Sequence, residues 1–111
     1  MKSTDDRLDD VFGALADRTR RQMVRRLAKA PATVGELAAP FEMSLPAASK
    51  HVRVLERAGL VKRTIDGREH HCELVRKRLR DANAWIARYT AMWESTLDEL
   101  AKFAAEGEGK L

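Results

Sequence analysis

A chain of 111 residues with one cysteine and no apolar run of membrane length has the size of a single domain with a modest core. It is small for an enzyme with a deep cleft, its lone thiol excludes an intramolecular disulfide framework, and the lack of a leader predicts a cytoplasmic protein with no membrane partner. The net charge of +4 is uneven: residues 44–80 hold ten Lys and Arg against four Asp and Glu, residues 81–111 three against six, and residues 1–43 eight against seven, which favours a polyanionic partner at one end of the molecule.

Residues 1–6, MKSTDD, are polar and predict a frayed end; after them Leu8, Val11, Phe12 and Leu15 recur at helical spacing. Asp17 is placed to cap a second helix, DRTRRQMVRRLAKA. Its Met23, Val24 and Leu27 face inward, and Arg20, Arg21, Arg25 and Arg26 crowd outward as a solvated face in preference to a phosphate-binding one. Thr33 and Glu36 form a capping box that opens a third helix, with Val34, Leu37 and Ala38 inward, and Pro40 must end it. Phe41 and Met43 then read as apolar filler in the turn between two crossed helices.

The best-marked segment is Ser44 to Leu60. Ser44 offers an oxygen to the first free amides, Pro46 sits where a missing N–H costs nothing, and Gly59 supplies a left-handed stop after Ala58, with Leu60 folding back on Leu55. Ala48, Val52 and Leu55 share one face, which leaves Leu45, Pro46, Ser49, Lys50 and Arg53 on the other. One face packs and one is offered.

Beyond Gly59 the period changes to two, LVKRTI and then REHHCEL, around Asp66-Gly67, a strong hairpin signal when both turn residues take positive φ. A symmetric turn on those two residues sets Arg63 opposite His70 and Val61 opposite Cys72, with Arg68 near the tip. From Val75 to about residue 104 the chain reads as one long helix whose apolar stripe is Trp85, Tyr89, Trp93, Leu97, Leu100 and Phe103, flanked by Ile86 and Met92. A domain this small has no further layer to cover that stripe, which predicts pairing with a second copy. The expected interface comprises Leu8, Phe12, Trp85, Tyr89, Met92, Trp93, Leu97, Leu100 and Phe103. The tail, GEGKL, is expected to be mobile.

A short helix, a turn, a cationic helix and a strand hairpin follow one another in the order of a winged helix-turn-helix, a mainly α fold with a β-hairpin wing. The segments ALADRTRRQMVRRLAKAPATVGELA, SLPAASKHVRVLERAGLVKR and DGREHHCEL resemble the ArsR family of bacterial transcriptional repressors over residues 11–104. The resemblance implies one winged helix-turn-helix domain over residues 1–111, dimerised through its terminal helices, binding double-stranded DNA at an inverted-repeat operator. Ser44, Leu45, Pro46, Ser49, Lys50, His51, Arg53, Lys62, Arg63 and Arg68 are the candidate DNA-binding residues. Arg suits guanine edges, Lys a phosphate, and Ser either. Many relatives carry Gln where this chain has Leu45, which can only meet a thymine methyl or support packing, so base preference does not carry over.

Metal-sensing members of the family use paired cysteines in the positioning helix or an Asp/His set in the last helix. This chain has Val34, Gly35 and Glu36 in the one place and Asp81, Ala82 and Asn83 in the other, with no His in the last helix. His70, His71 and Cys72 are strand neighbours, so at most His70 and Cys72 converge, too few for zinc. Cys72 reads as a small core residue, and Ser49 beside Lys50 cannot act as nucleophile and base. The expectation is therefore no cofactor, no metal and no catalysis. A metal- or redox-responsive sensor of the same fold, and a winged-helix protein-interaction or RNA-binding module, are the alternatives; the sequence specifies no inducer.

Overall fold

A computed structural model describes residues 2–109. Helix α1 spans Thr4–Leu15, α2 Arg18–Leu27, β1 Ala32–Thr33, α3 Val34–Ala38, α4 Leu45–Arg57, β2 Val61–Asp66, β3 Glu69–Leu74 and α5 Arg76–Gly109, with a 3-10 turn at Ala39–Phe41 between α3 and α4. The strands form one antiparallel sheet in the order β1-β3-β2. The core gathers Val11 and Ala14 of α1, Met23 and Leu27 of α2, Leu37 of α3, Ala48, Val52 and Leu55 of α4, and Leu60, Val61 and Cys72 around the hairpin. Phe41 and Met43 pack half-buried against it, as apolar filler.

The helix boundaries follow from caps. Asp17 accepts from the Arg20 amide at 3.0 Å, Thr33 and Glu36 exchange hydrogen bonds of 3.1 Å, and Ser44 accepts from the Ala47 amide at 3.2 Å. Each oxygen satisfies a donor the first turn leaves free. Helix α4 ends in a Schellman turn: Gly59 has φ +76°, the Leu60 amide donates to the Leu55 carbonyl and the Gly59 amide to that of Glu56, both at 2.9 Å. Leu55 and Leu60, brought together by that turn, are both fully buried. The Val75 amide then donates to the Leu60 carbonyl at 2.8 Å, so the start of α5 is tied to the end of α4.

Several expectations are corrected. The N-terminus is not frayed up to residue 6: Ser3 and Asp6 make a second reciprocal capping box, and α1 begins at Thr4. At the other end α5 stays helical to Gly109, past residue 104 and into the tail expected to be mobile; Met1, Lys110 and Leu111 lie outside the described residues. The hairpin register is displaced by two residues. Arg63 faces Cys72 and Val61 faces Leu74, because the loop is Gly67-Arg68 and Asp66 pairs with Glu69. Only Gly67 has positive φ, +63°, so a single glycine at the first loop position meets the demand and Arg68 is spared it, as in a type II′ turn. The displacement is even, so each side chain keeps its expected face. Strand β1, which pairs Ala32 with Cys72 and Thr33 with His71, has no counterpart in the sequence reading, since two residues cannot display a period.

Candidate DNA-reading surface

Helix α4 is positioned from below. Ala48, Val52 and Leu55 are completely buried, which fixes the rotation of the helix and sends Leu45, Pro46, Lys50 and Arg53 into solvent. Leu45 is 60 % exposed although it is apolar, an arrangement that suits a surface awaiting a partner. Ser49 and His51 are half-buried at the edges of the offered face. On the wing, Lys62 is exposed on β2 and Arg68 is exposed as the second residue of the loop. A cleft of about 440 Å³ separates the wing from the first turn of α4 and is lined by Leu45, Pro46, Ser49, Arg63, Arg68, Glu69 and His70 together with Thr33–Gly35.

Arg63, expected among the DNA-binding residues, does not face outward. Its side chain is only 11 % exposed and is engaged within the chain: Nη2 meets Glu56 Oε1 at 2.8 Å, and Nη1 lies 3.0 Å from His70 Nδ1 and donates to Ser49 Oγ at 3.3 Å. An arginine donates only, so His70 accepts through an unprotonated Nδ1. The guanidinium, carried by β2, thus ties α4 at Ser49 and Glu56 to β3 at His70, and the Ser49 oxygen already accepts from it. Arg63 Nε is buried without a partner, a cost the three other contacts offset.

Arg20 overturns a second expectation. It points inward, Nε donating to the Ala14 carbonyl at 2.7 Å and Nη1 lying 3.3 Å from His51 Nδ1, with Asp17 3.9 Å away. It therefore satisfies the free carbonyl end of α1 and steadies α4 through His51. Its partners lie six and 31 residues away in sequence, so no local pattern could have revealed them. Arg21 likewise donates to the Leu15 carbonyl at 2.7 Å and Arg26 to that of Ala30 at 2.8 Å; Arg25 alone of the four has no such bond and is exposed.

Among the described residues three side chains have displaced titrations. The Asp17 carboxyl lies below its ordinary range chiefly because it accepts from the Arg20 amide, and Glu36 is lowered chiefly by its bond from the Thr33 amide. Burial pushes the Cys72 thiol up, so the thiolate a reactive cysteine needs is disfavoured. Among the described residues no three His, Cys, Asp or Glu side chains come together as metal ligands, and no helix is long and apolar enough to cross a membrane.

Residues 15–64, from the end of α1 to the middle of β2, match the model of a helix-turn-helix domain family. A crystal structure of an ArsR family transcriptional regulator superposes with a TM-score of 0.78 at 40 % identity, covering 86 % of this chain and 98 % of that one. This chain belongs to the ArsR family. It is a DNA-binding transcriptional regulator. The HTH-type transcriptional regulator Rv2034 of Mycobacterium tuberculosis is 53 % identical over 53 residues, 48 % of this chain and 50 % of that protein, so the match spans half of the relative's length. The solution structure of the homodimeric winged helix-turn-helix DNA-binding domain Mb0332 of Mycobacterium bovis is similar at 28 % identity with a TM-score of 0.58, covering 85 % of this chain and 81 % of that fragment.

Proposed function

We propose that the protein is a cytoplasmic homodimeric repressor that holds two α4 helices against successive major grooves of an inverted-repeat operator. The observation that carries this reading is the pairing of an offered cationic helix with an unsatisfied apolar one. Helix α5, about 51 Å long at the usual rise per residue, exposes Trp85, Tyr89, Met92, Trp93, Leu97, Leu100 and Phe103 along most of its length. A second copy supplying the same stripe covers both, and the resulting two-fold axis sets the half-site spacing at about 34 Å. Leu8 and Phe12 extend that interface from α1, Phe12 standing edge-on to Trp85 at 5.7 Å.

Within each half-site Arg53 reads a guanine edge, Lys50 neutralises a phosphate, Leu45 and Pro46 approach a thymine methyl, and Lys62 and Arg68 reach the flanking backbone from the wing. Ser44 and His51 line the two sides of that contact. Arg63 acts here as a positioning residue, holding α4 and the wing at one mutual angle. The protein performs no catalytic step and needs no resident metal or cofactor in this reading.

Footprinting on genomic DNA, followed by sedimentation of the protein with the protected duplex, tests the proposal. A two-fold protected site bound by two chains with a steep salt dependence is the expected result. Salt-insensitive binding, or an equal preference for RNA, would remove it in favour of another kind of winged-helix module.

A further inference from the structure

Arg57, in the last turn of α4, is not among the candidate DNA-binding residues that the sequence singles out, yet it stands at the centre of the offered face. At 3.6 residues per turn it lies about two and a half turns beyond Ala48, and so it points directly away from a residue that is completely buried. Pro46, Lys50 and Arg53 share this outward side. Leu45, Ser49 and Glu56 turn toward the wing, and Ala47, His51 and Val54 turn toward α2.

The outward side is cationic and unneutralised. Helix α4 has a single carboxylate, Glu56, three residues after Arg53 and beside Arg57, and Arg63 holds it on the wing side at 2.8 Å. Lys50, Arg53 and Arg57 are all exposed and have no carboxylate within ion-pair distance among the described residues. A cleft of about 450 Å³ between α2 and α4 runs beside the same ridge, lined by these three cations with Arg20, Ala47, His51 and Val54, and no acid borders it. Like charges left unpaired on one ridge repel one another, and a polyanion relieves that repulsion. Spread over about 10 Å along the helix axis, the three suit separate phosphates of a strand in preference to one small anion.

We infer that Arg57 binds a backbone phosphate at the edge of the major groove that α4 enters. The inference rests on the DNA-binding reading proposed above and adds a contact to it. Reading helices meet base edges with their N-terminal residues. Arg57 stands about 18 Å along the axis from Leu45, more than the roughly 12 Å width of the groove, which sets its guanidinium at a strand and not over a base.

Titrations over a range of salt concentrations, on the footprinted duplex and on a scrambled duplex of equal length, test the contact. Arg57→Gln should weaken both duplexes by a similar factor and flatten the slope of log affinity against log salt by about one unit, with the ratio between the duplexes unchanged. Arg57→Lys should restore the slope. Arg25→Gln, which removes the same charge from the exposed side of α2, should leave it as in the wild type. A cation near a helix C-terminus also stabilises the helix, so urea midpoints are measured alongside. A lowered midpoint with an unchanged slope in Arg57→Gln would overturn the inference while the steep wild-type slope upholds the DNA-binding reading. An equal flattening by Arg25→Gln would overturn it as well, since net charge alone would then account for the effect, and so would a changed ratio between the duplexes, which would make Arg57 a reader of bases. A flat salt dependence of the wild-type protein would remove the contact and the DNA-binding reading together.

Discussion

The body formed by α1–α4 and the wing and the distal part of α5 carry similar apolar residues and treat them in opposite ways. In the body, Met23, Leu37, Leu55 and Leu60 are all buried to within 1 %. Along α5, Trp93 remains 64 % exposed and Phe103 76 %. The same hydrophobic term acts on both, but the body satisfies it within one chain and α5 leaves it open, so folding of the first is intramolecular and covering of the second needs another molecule. Charge divides along the same line. From Arg76 to Arg88 the helix carries five basic residues and one acid, whereas from Tyr89 to Gly109 it carries five acids and one base.

Removing a large side chain on each side of that division should have different consequences. Trp93→Ala removes an aromatic worth roughly 3–5 kcal/mol in a buried setting, and a symmetric dimer loses it twice. The expected outcome at micromolar concentration is monomer and an operator affinity reduced by more than about a hundredfold, with the DNA-facing residues intact. Leu55→Ala, in the body, should instead lower unfolding free energy by about 2–5 kcal/mol per chain. Denaturant midpoints measured over a range of protein concentrations separate the two: the Leu55 variant should keep the concentration dependence of a dimer, and the Trp93 variant should lose it. A Trp93 variant that stayed dimeric would erase the comparison.

Within the body, the polar contacts make a second contrast, between arginines that brace α4 and cations that face outward. Arg63→Ala should reduce operator affinity about tenfold or more while leaving its salt slope unchanged, because no phosphate contact is removed. Lys50→Ala should lower affinity for all duplexes and flatten the slope by about one unit. Arg53→Ala should relax the preference at one base position. A slope change in the Arg63 variant equal to that of Lys50 would mean that its guanidinium leaves Glu56 and Ser49 when DNA binds.

How much of this was legible in the sequence follows from the range of each interaction. The caps at Asp17, Thr33 and Ser44 and the stop at Gly59 were readable because each is completed within three or four residues. The α5 stripe was readable because a 34-residue helix repeats its period many times. The wing register was not, since Asp66, Gly67 and Arg68 permit two loops of equal length and the choice falls to one glycine dihedral. The roles of Arg20 and Arg63 were hidden for another reason. An arginine that braces and one that binds phosphate are the same letter, and only the packing of α4 between α2 and the wing turns these two inward. The sequence thus marked the candidate site as a surface and missed the contacts that support it.

The smallest expected effect tests the joint between α1, α2 and α4, where Asp17 caps α2 beside the inward-facing Arg20. Its folded-state pKa is depressed, first by the hydrogen bond from the Arg20 amide and then, against the opposing effect of burial, by the charges of Arg20 and His51. A depressed carboxylate contributes stability that is fully present above its unfolded value and is lost as pH falls through the folded one. The wild-type protein should therefore lose part of its stability on the acid side of the ordinary carboxylate range. Asp17→Asn keeps an acceptor for the cap and removes the charge, so it should be slightly less stable at neutral pH and should lose less on acidification. Glu36 is shifted in the same direction by its own capping box, so the acid loss should shrink and not vanish. Urea midpoints of the two proteins, compared between neutral pH and pH values below the carboxylate range, give the difference directly; parallel curves would show that Asp17 acts through its hydrogen bond alone and that its charge does not steady the joint.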